Sequence, residues 1–595
     1  MAYSDNFPAT RPVFMADFAN GGKIDPRATF SRASTANVFD GSKHLSSENI
    51  LAYSNDISTK TLDGVTATGS QTAPDGGTDA YKLTENSASS HHRFYEQIVT
   101  DGSAITFSAY FKYIGRQWVR IRLTDSSNID RFVWFDIQNG AVGTAQTGFS
   151  GATISSSGNG YYKVSATLGT SGVGGTRYLV IAGIGADNST STYAGSGADA
   201  FAVWGIQVSS TGETVLNETS GSIHREYASS LVSKANNIGR FEVGTDGQSE
   251  GILIESQATN LYGNSLDMTG VAGTRTNIDS NVAVGPTGEL TADALRLNDT
   301  DSNTHYREYS FTAAASTTYT FSVYLKAAGL SHAAIRSNNL FSTEYVYFNL
   351  SNGTVEGSPA MSNSMTAVGN GFYRCSVTAT TTGSGAASFV IYITDSAAST
   401  IVTTGDSYRA ILGQAIQIEA GSHPSSFIET SGGSTATRAA ESLSVGLSDI
   451  NQNPIGNAVS AVAEFDTNAN DAQFRRVMVL KSGTTGLRID PQVYSGTGYV
   501  YVANTGGGTT ELTNKSGAGT GFHKVAIGLD GTTANASFDG ATASTMSNAD
   551  TASVQFDTLQ IGSYSATQLH LDGHVKRVAL YNEALSDTNL QALTS

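Results

Sequence analysis

The chain has 595 residues, a formal charge of −17, 64 glycines, and only 14% Asp, Glu, Lys and Arg. An acidic chain without clustered Lys and Arg excludes a duplex nucleic-acid binder, and 39% apolar residues set in alternating runs exclude disorder. No apolar run approaches the ~18 residues of a membrane span, and the single Cys375 excludes an internal disulfide framework and a multi-cysteine metal site.

Residues 1–48 are expected to carry no secretory signal, because no basic end precedes an apolar run. They contain PRATFSRAST at 26–35. From 49 onward, runs such as 106–112, 118–123, 132–137, 161–167 and 178–181 alternate or are β-branched and aromatic. Gly, Asn and Ser separate them. Strands at this spacing, without helix-length periodic segments, predict sandwiches or barrels. ITFSAYFKYIGRQWVRIR (105–122) aligns without gaps to YTFSVYLKAAGLSHAAIR (319–336). Further blocks recur in the same order: 133–143 with 346–357, 158–167 with 369–378, and 205–208 with 415–418. Two homologous β-sandwich modules are therefore expected at 49–219 and 259–432. Asn-Gly at 139–140 and 352–353 reads as a tight hairpin turn needing positive φ, and Gly-Asn-Gly at 158–160 and 369–371 as a second such turn. Cys375, in a strand-like run, reads as an inert buried side chain. Residues 220–258 contain GRFEVGTDGQSEGILIESQ. Because module 1 is inserted between 1–48 and 220–258, those two passages are expected to pack together. Residues 433–595 have their own strand pattern and end in an amphipathic helix at 586–593, with Asp587 in its first turn, where negative charge is favourable.

Period two places Trp118, Arg120 and Arg122 on one face of a strand, with Arg116 at its end. Trp134 lies on a following strand, alternating with Val133 and Phe135. An indole beside guanidiniums suits a sugar: the ring stacks on C–H faces, and the forks bind hydroxyls or carboxylates. The second copy has His332, Ala334 and Arg336 at the matching positions, so the fold does not require this face. It either contacts an acidic glycan or packs on a neighbouring sheet or subunit. His570, Asp572 and His574 alternate in one run and read either as metal ligands on one face or as a solvated edge. No G-x-S-x-G, HExxH or P-loop is present, and no carboxylates are paired by spacing, so no catalytic residues and no enzyme activity are expected.

Several phrases carry a resemblance. They are the opening N-I-L-x-Y-S-N-D (49–56), T-F-S-x-Y-x-K (106–112 and 320–326), F-[DN]-[IL]-x-N-G (135–140 and 348–353), the closing I-Q-[IV] near 206 and 416, and E-A-G-x-x-P-S-S-F-I (419–428). The modules resemble the jelly-roll, carbohydrate-binding-module-like domains found in tandem in bacteriophage tail fibre and receptor-binding proteins. FSRAST (30–35) and GILIESQATNL (251–261) look like the passages that precede such modules. L-Q-I-G (559–562) and LDGHVKRVALYNEALSDTNL (571–590) make 433–595 similar to the laminin-G/concanavalin-like lectin sandwich.

The resemblance implies an all-β, multi-domain chain: two homologous jelly-roll β-sandwiches plus a C-terminal concanavalin-like β-sandwich. Residues 1–48 would be a virion-attachment segment and 220–258 a connecting segment. It implies a phage virion fibre protein, on the extracellular face of the tail, that adsorbs to host surface polysaccharide or lipopolysaccharide. The partners implied are other virion tail proteins at the N-terminus and two further copies in a homotrimer, with no nucleic acid and no membrane insertion. No cofactor is implied beyond calcium, which some lectin sandwiches carry; the acidic loops around Asp539 and Asp557 are the places for it here. Two alternatives stay open: a structural or adaptor virion protein, and a polysaccharide depolymerase tailspike.

Overall fold

A computed structural model describes residues 11–595 except 125–128, 170–174, 190–191, 272, 299–301, 358–359, 398–400, 451–457, 469–472, 483–486, 496, 504–508, 517–520 and 548–554. The fold is all-β. Among the described residues the α-helices are Phe18–Gly21 and Asp587–Thr594, the second capped by the Ser586 hydroxyl.

Each module is a pair of six-stranded antiparallel sheets, and the sheet order is the same in both, strand for strand. Alternation makes the core. In module 1, Phe107, Ala109 and Phe111 of the Ile105–Tyr113 strand meet Val119, Ile121 and Leu123 of Trp118–Thr124. In module 2, Phe321, Val323 and Leu325 meet Ala333 and Ile335. Cys375 lies in this second core, and burial pushes its thiol well up, which leaves it unreactive.

One buried asparagine closes each module. Asn49 donates to the Ile206 and Asn217 carbonyls, both at 3.0 Å, and accepts from the Leu51 and Val208 amides, both at 3.2 Å. Asn260 repeats the pattern with Ile416, Ile428, Tyr262 and Ile418. The amide thus ties the opening phrase of each module to its closing strand. The Asn-Gly turns differ from a two-residue hairpin. Only the glycine is left-handed, at φ 69° for Gly140 and 75° for Gly353, and its amide donates back four residues, to Asp136 or Asn349. A Cβ on either glycine would stand 2.5 Å from the ring of Tyr162 or Tyr373. Those tyrosines follow the Gly-Asn-Gly turns, so the two turn motifs of each module pack on each other. In Gly-Asn-Gly the Asn and second Gly are both left-handed.

One sheet of each module is docked. Module 1's docked sheet presents Tyr110 and Trp204, which make edge contacts with Tyr408 of module 2 at 5.8 and 6.0 Å between ring centres. Module 2's presents Tyr324, Ala294 and Leu412, packed with Leu231, Val215 and Phe427. Among the described residues, the other sheet of each module makes no such contact with its neighbour module.

The C-terminal sandwich corrects two expected boundaries. It is not built from 433–595 alone, and 1–48 is not a separate attachment segment. Phe14–Asp17 and Ser249–Ile254 both pair with Gly573–Tyr581, and Ala28–Ser31 pairs with Ser442–Gly446. Phe14, Phe18, Ile252 and Ile254 are in its core. The physical reason is that Phe14, Phe18, Ile252 and Ile254 bury their side chains in one cluster with Leu443, Val575, Val578 and Leu580. Residues 1–10 lie outside the described residues. Residues Ala36–Asn49 and His224–Lys234 form a two-stranded antiparallel ribbon, which brings 1–48 and 220–258 together.

A buried ionic knot holds these passages. Arg240 donates through Nε and Nη2 to Glu441 (2.8 and 2.5 Å) and through Nη2 to Glu255 (2.6 Å). Arg32 of the FSRAST phrase donates to Glu441 at 2.8 Å and to four backbone carbonyls. Ser426 donates its amide and hydroxyl to Glu255 at 2.8 and 2.7 Å, and Arg438 stands 3.5 Å from the same carboxylate. Burial would raise both glutamates, but Arg240 and Arg438 hold them below their ordinary range.

Candidate glycan-binding faces

The free sheets carry the side chains that could meet a ligand. Trp118, Arg120 and Arg122 do share the outer face of their strand, because Val119, Ile121 and Leu123 face the core. Across the sheet, one row reads Arg93, Ala182, Arg120, Trp134, and the next Tyr95, Val180, Arg122, Phe132. The structure therefore brings four of the five expected site residues onto one face.

It also spends most of them. Arg116 lies off the row and makes a two-pronged pair with Glu85, 2.7 Å on each prong, beneath the Tyr193 ring. Burial would raise the Glu85 carboxyl, but Arg116 and Tyr193 hold it down at about 2. Arg122 pairs with Asp130 at 2.7 Å. Arg120 is 9% exposed, stacked 4.6 Å over Phe132, and burial with Arg122 and Arg93 nearby pulls it down to about 10. Trp134 is 2% exposed. The expectation of an open Arg–Trp face is corrected: Trp118 is half-exposed, whereas Trp134 and Arg120 are closed off and Arg116 and Arg122 are neutralised. Asp187 and Ser189 approach this face, since Arg120 reaches the Ser189 carbonyl and Thr144 donates to Asp187.

Module 2 carries an aromatic counterpart at the same positions, where Tyr392 and Ile401 are buried with Ala334 and Val390, and Tyr306, Tyr345 and Tyr347 pack against them partly exposed. Its first row reads Tyr306, Tyr392, Ala334, Tyr347, and its second Glu308, Val390, Arg336, Tyr345. Arg336 donates to the Tyr392 and Tyr345 hydroxyls at 2.9 and 3.3 Å and to Asn338 at 2.7 Å. Burial would lower this guanidinium, but the two phenols hold it above its ordinary value. Tyr306, Tyr345 and Tyr347 are half-exposed, and ring centres are 5.0 Å apart for Tyr306–Tyr392 and 5.8 Å for Tyr345–Tyr392. Asn338 donates to Glu308 at 3.2 Å, which leaves a polar rim beside the rings. Flat aromatic faces next to fixed amide, carboxylate and guanidinium groups suit a sugar ring. Sequence reasoning missed these tyrosines, although the repeat alignment sets VYF (346–348) on VWF (133–135).

The His570, Asp572, His574 reading as a metal face is corrected. Leu569 and Asp572 are left-handed, so strand period is broken before Gly573, where the last strand begins. His574 instead sits between Asp466 (Nδ1, 3.0 Å) and Glu242 (Nε2, 2.8 Å), Asp572 pairs with Arg475, and burial pushes the His570 imidazole down. Burial would lower His574 too, but Asp466 and Glu242 outweigh it and hold the imidazole well above its ordinary value. Among the described residues no group of three His, Cys, Asp or Glu converges to hold a metal. Asp539 is engaged by His523 at 2.9 Å and by the Lys524 amide at 2.8 Å.

Residues 439–591 match the laminin-G model of the concanavalin A-like lectin/glucanase superfamily, so the C-terminal sandwich is a concanavalin-like lectin domain. No curated protein matches the chain. Among solved structures, the chain is similar to a Ruminococcus gnavus IT-sialidase CBM40 bound to α2,3-sialyllactose. That likeness has 17% identity and a TM-score of 0.21, over 23% of this chain and 83% of that one. It is similar to the receptor-binding domain of botulinum neurotoxin C/D mosaic serotype at 12% identity and a TM-score of 0.22, over 26% of this chain and 39% of that one. The binding domain of Paraclostridial mosquitocidal protein 1 is similar at 7% identity and a TM-score of 0.19, over 26% and 43%.

Proposed function

We propose that this chain is a non-enzymatic glycan-binding protein of a phage virion fibre, and that the tyrosine face of module 2 is its main sugar contact. The supporting observation is the ring of half-exposed Tyr306, Tyr345 and Tyr347 around a tethered Arg336 on a free sheet. The fibre reading rests on the resemblance of the two modules and of their connecting phrases. Host polysaccharide or lipopolysaccharide is the partner, and a homotrimer multiplies weak sites by avidity. Trp118 of module 1 adds a second, weaker contact. The chain-wide −17 favours a neutral face over an Arg cluster that its own acids already satisfy.

The test uses the full chain. Tyr345→Ala with Tyr347→Ala is expected to weaken binding to host surface polysaccharide at least tenfold with an unchanged melting curve. Each ring–sugar stack is taken as worth about 1 kcal/mol, of the size of aromatic pair contacts. Undiminished binding in that variant sinks the assignment. A fall in polysaccharide viscosity during incubation would instead establish the depolymerase alternative.

A further inference from the structure

The docked face of module 1 does not close fully on module 2. A cleft of 220 Å³ remains between them, lined by Tyr110, Lys163, Glu213, Arg296, Lys326 and Tyr408 among others. That is room for several waters at about 30 Å³ each. Two lysine side chains reach into it from different modules, and burial pulls both below the ordinary lysine value, Lys163 to about 8, a cost that a bound anion would offset. Lys163 makes a long 3.4 Å bond to the Thr214 hydroxyl, and Lys326 makes one of 3.0 Å to the Asn370 side-chain carbonyl. An ammonium has three donors, and among the described residues neither lysine has a carboxylate within 4 Å. The other charges are accounted for: Arg296 and Asp279 hold each other with two bonds of 3.1 and 3.2 Å, and Arg296 also reaches the Ser407 carbonyl.

The repeat supplies an internal control. Arg374 of module 2 stands where Lys163 stands in module 1, and both lie over the matching tyrosine, Tyr324 or Tyr110. Arg374 donates through Nη2 to the Ser322 hydroxyl and the Ser425 carbonyl, at 3.0 and 2.6 Å. Lys163 has no such use. We propose that the inter-module cleft is a binding site for a small oxyanion, a phosphate-type ion or the carboxylate of an acidic sugar, held between Lys163 and Lys326. This site is separate from the tyrosine face and does not depend on it. Glu213 is the group that competes with the anion. Burial pushes its carboxyl up to about 7, with Lys326 and Lys163 pulling the other way, so near neutrality it is often protonated and able to donate.

The test measures melting and titration calorimetry of the full chain in sodium phosphate, sodium glucuronate and sodium chloride at equal ionic strength. Phosphate or glucuronate is expected to raise the melting temperature beyond chloride; the larger of the two shifts tells a free ion from a sugar carboxylate. Lys163→Met with Lys326→Met is expected to lose that excess. Glu213→Gln, which keeps the shape and removes the competing charge, is expected to tighten the anion several-fold at pH 8. Equal shifts in all three salts, an excess that survives the double substitution, or unchanged affinity in Glu213→Gln would each overturn the proposal.

Discussion

Asn49 and Asn260 show how a single side chain can define a module. Each is fully buried and uses all four of its hydrogen-bonding positions on backbone groups, three of them about 160 residues away and one two residues on. Asn260→Ala strands two amides and two carbonyls in the core of module 2. At about 1–3 kcal/mol for each group left unpaired, the loss should exceed about 3 kcal/mol even if water enters. Chemical denaturation checks this, and a loss below about 1 kcal/mol would show that the clamp is idle. The phrase N-I-L-x-Y-S-N-D at 49–56 was legible in the sequence as an opening motif. Its role was not, because three of its four partners lie at the far end of the module. The same holds for the Arg strand. Period two correctly put Trp118, Arg120 and Arg122 on one face, yet nothing local says that Glu85 will neutralise Arg116 or that residues near Ser189 will cover Arg120.

Strands and turns repeat the lesson one level up. The repeat, the sandwich pattern and the C-terminal helix could be read from periodicity and turn chemistry, since these depend on neighbours in sequence. The C-terminal domain boundary could not. Its two sheets take strands from 14–17, 28–31 and 249–254, which pair with partners up to several hundred residues away. An isolated fragment 433–595 therefore lacks Phe14, Phe18, Ile252 and Ile254 from its core and has unpaired sheet edges. It is expected to aggregate or to melt without cooperativity. A chain from which module 1 alone is excised should melt cooperatively, because the module's ends meet: Ser54 donates to the Thr219 carbonyl at 3.3 Å. A sharp melt from 433–595 alone would refute this account of the sandwich.

The whole molecule is organised around buried charge. Arg32, Arg240, Arg438, Glu255 and Glu441 join the N-terminal passage, the connecting passage and the start of the lectin domain, while His574 ties that domain to Glu242. The sign of the pH dependence follows. Glu255 and Glu441 are depressed, so their contribution is present above the ordinary 4.5 and is lost as pH falls through their folded values. His574 is raised, so its contribution is complete below the ordinary 6.5 and is lost as pH rises through its folded value. Glu213, raised to about 7, likewise costs stability as pH climbs from 4.5 toward 7. The melting temperature should peak near pH 4.5–6.5 and fall on both sides, with His574→Gln flattening the alkaline limb; a flat profile from pH 5 to 9 would contradict these assignments. The all-β class, the duplicated module and its turns could be read from the chain alone, because alternation and turn chemistry act over a few residues. Which sheet of each module is docked, which arginines are already paired and which passages complete the C-terminal sandwich emerge from the folded arrangement. Those outcomes depend on contacts between residues far apart in the chain, and strand period is the same whichever face is later covered.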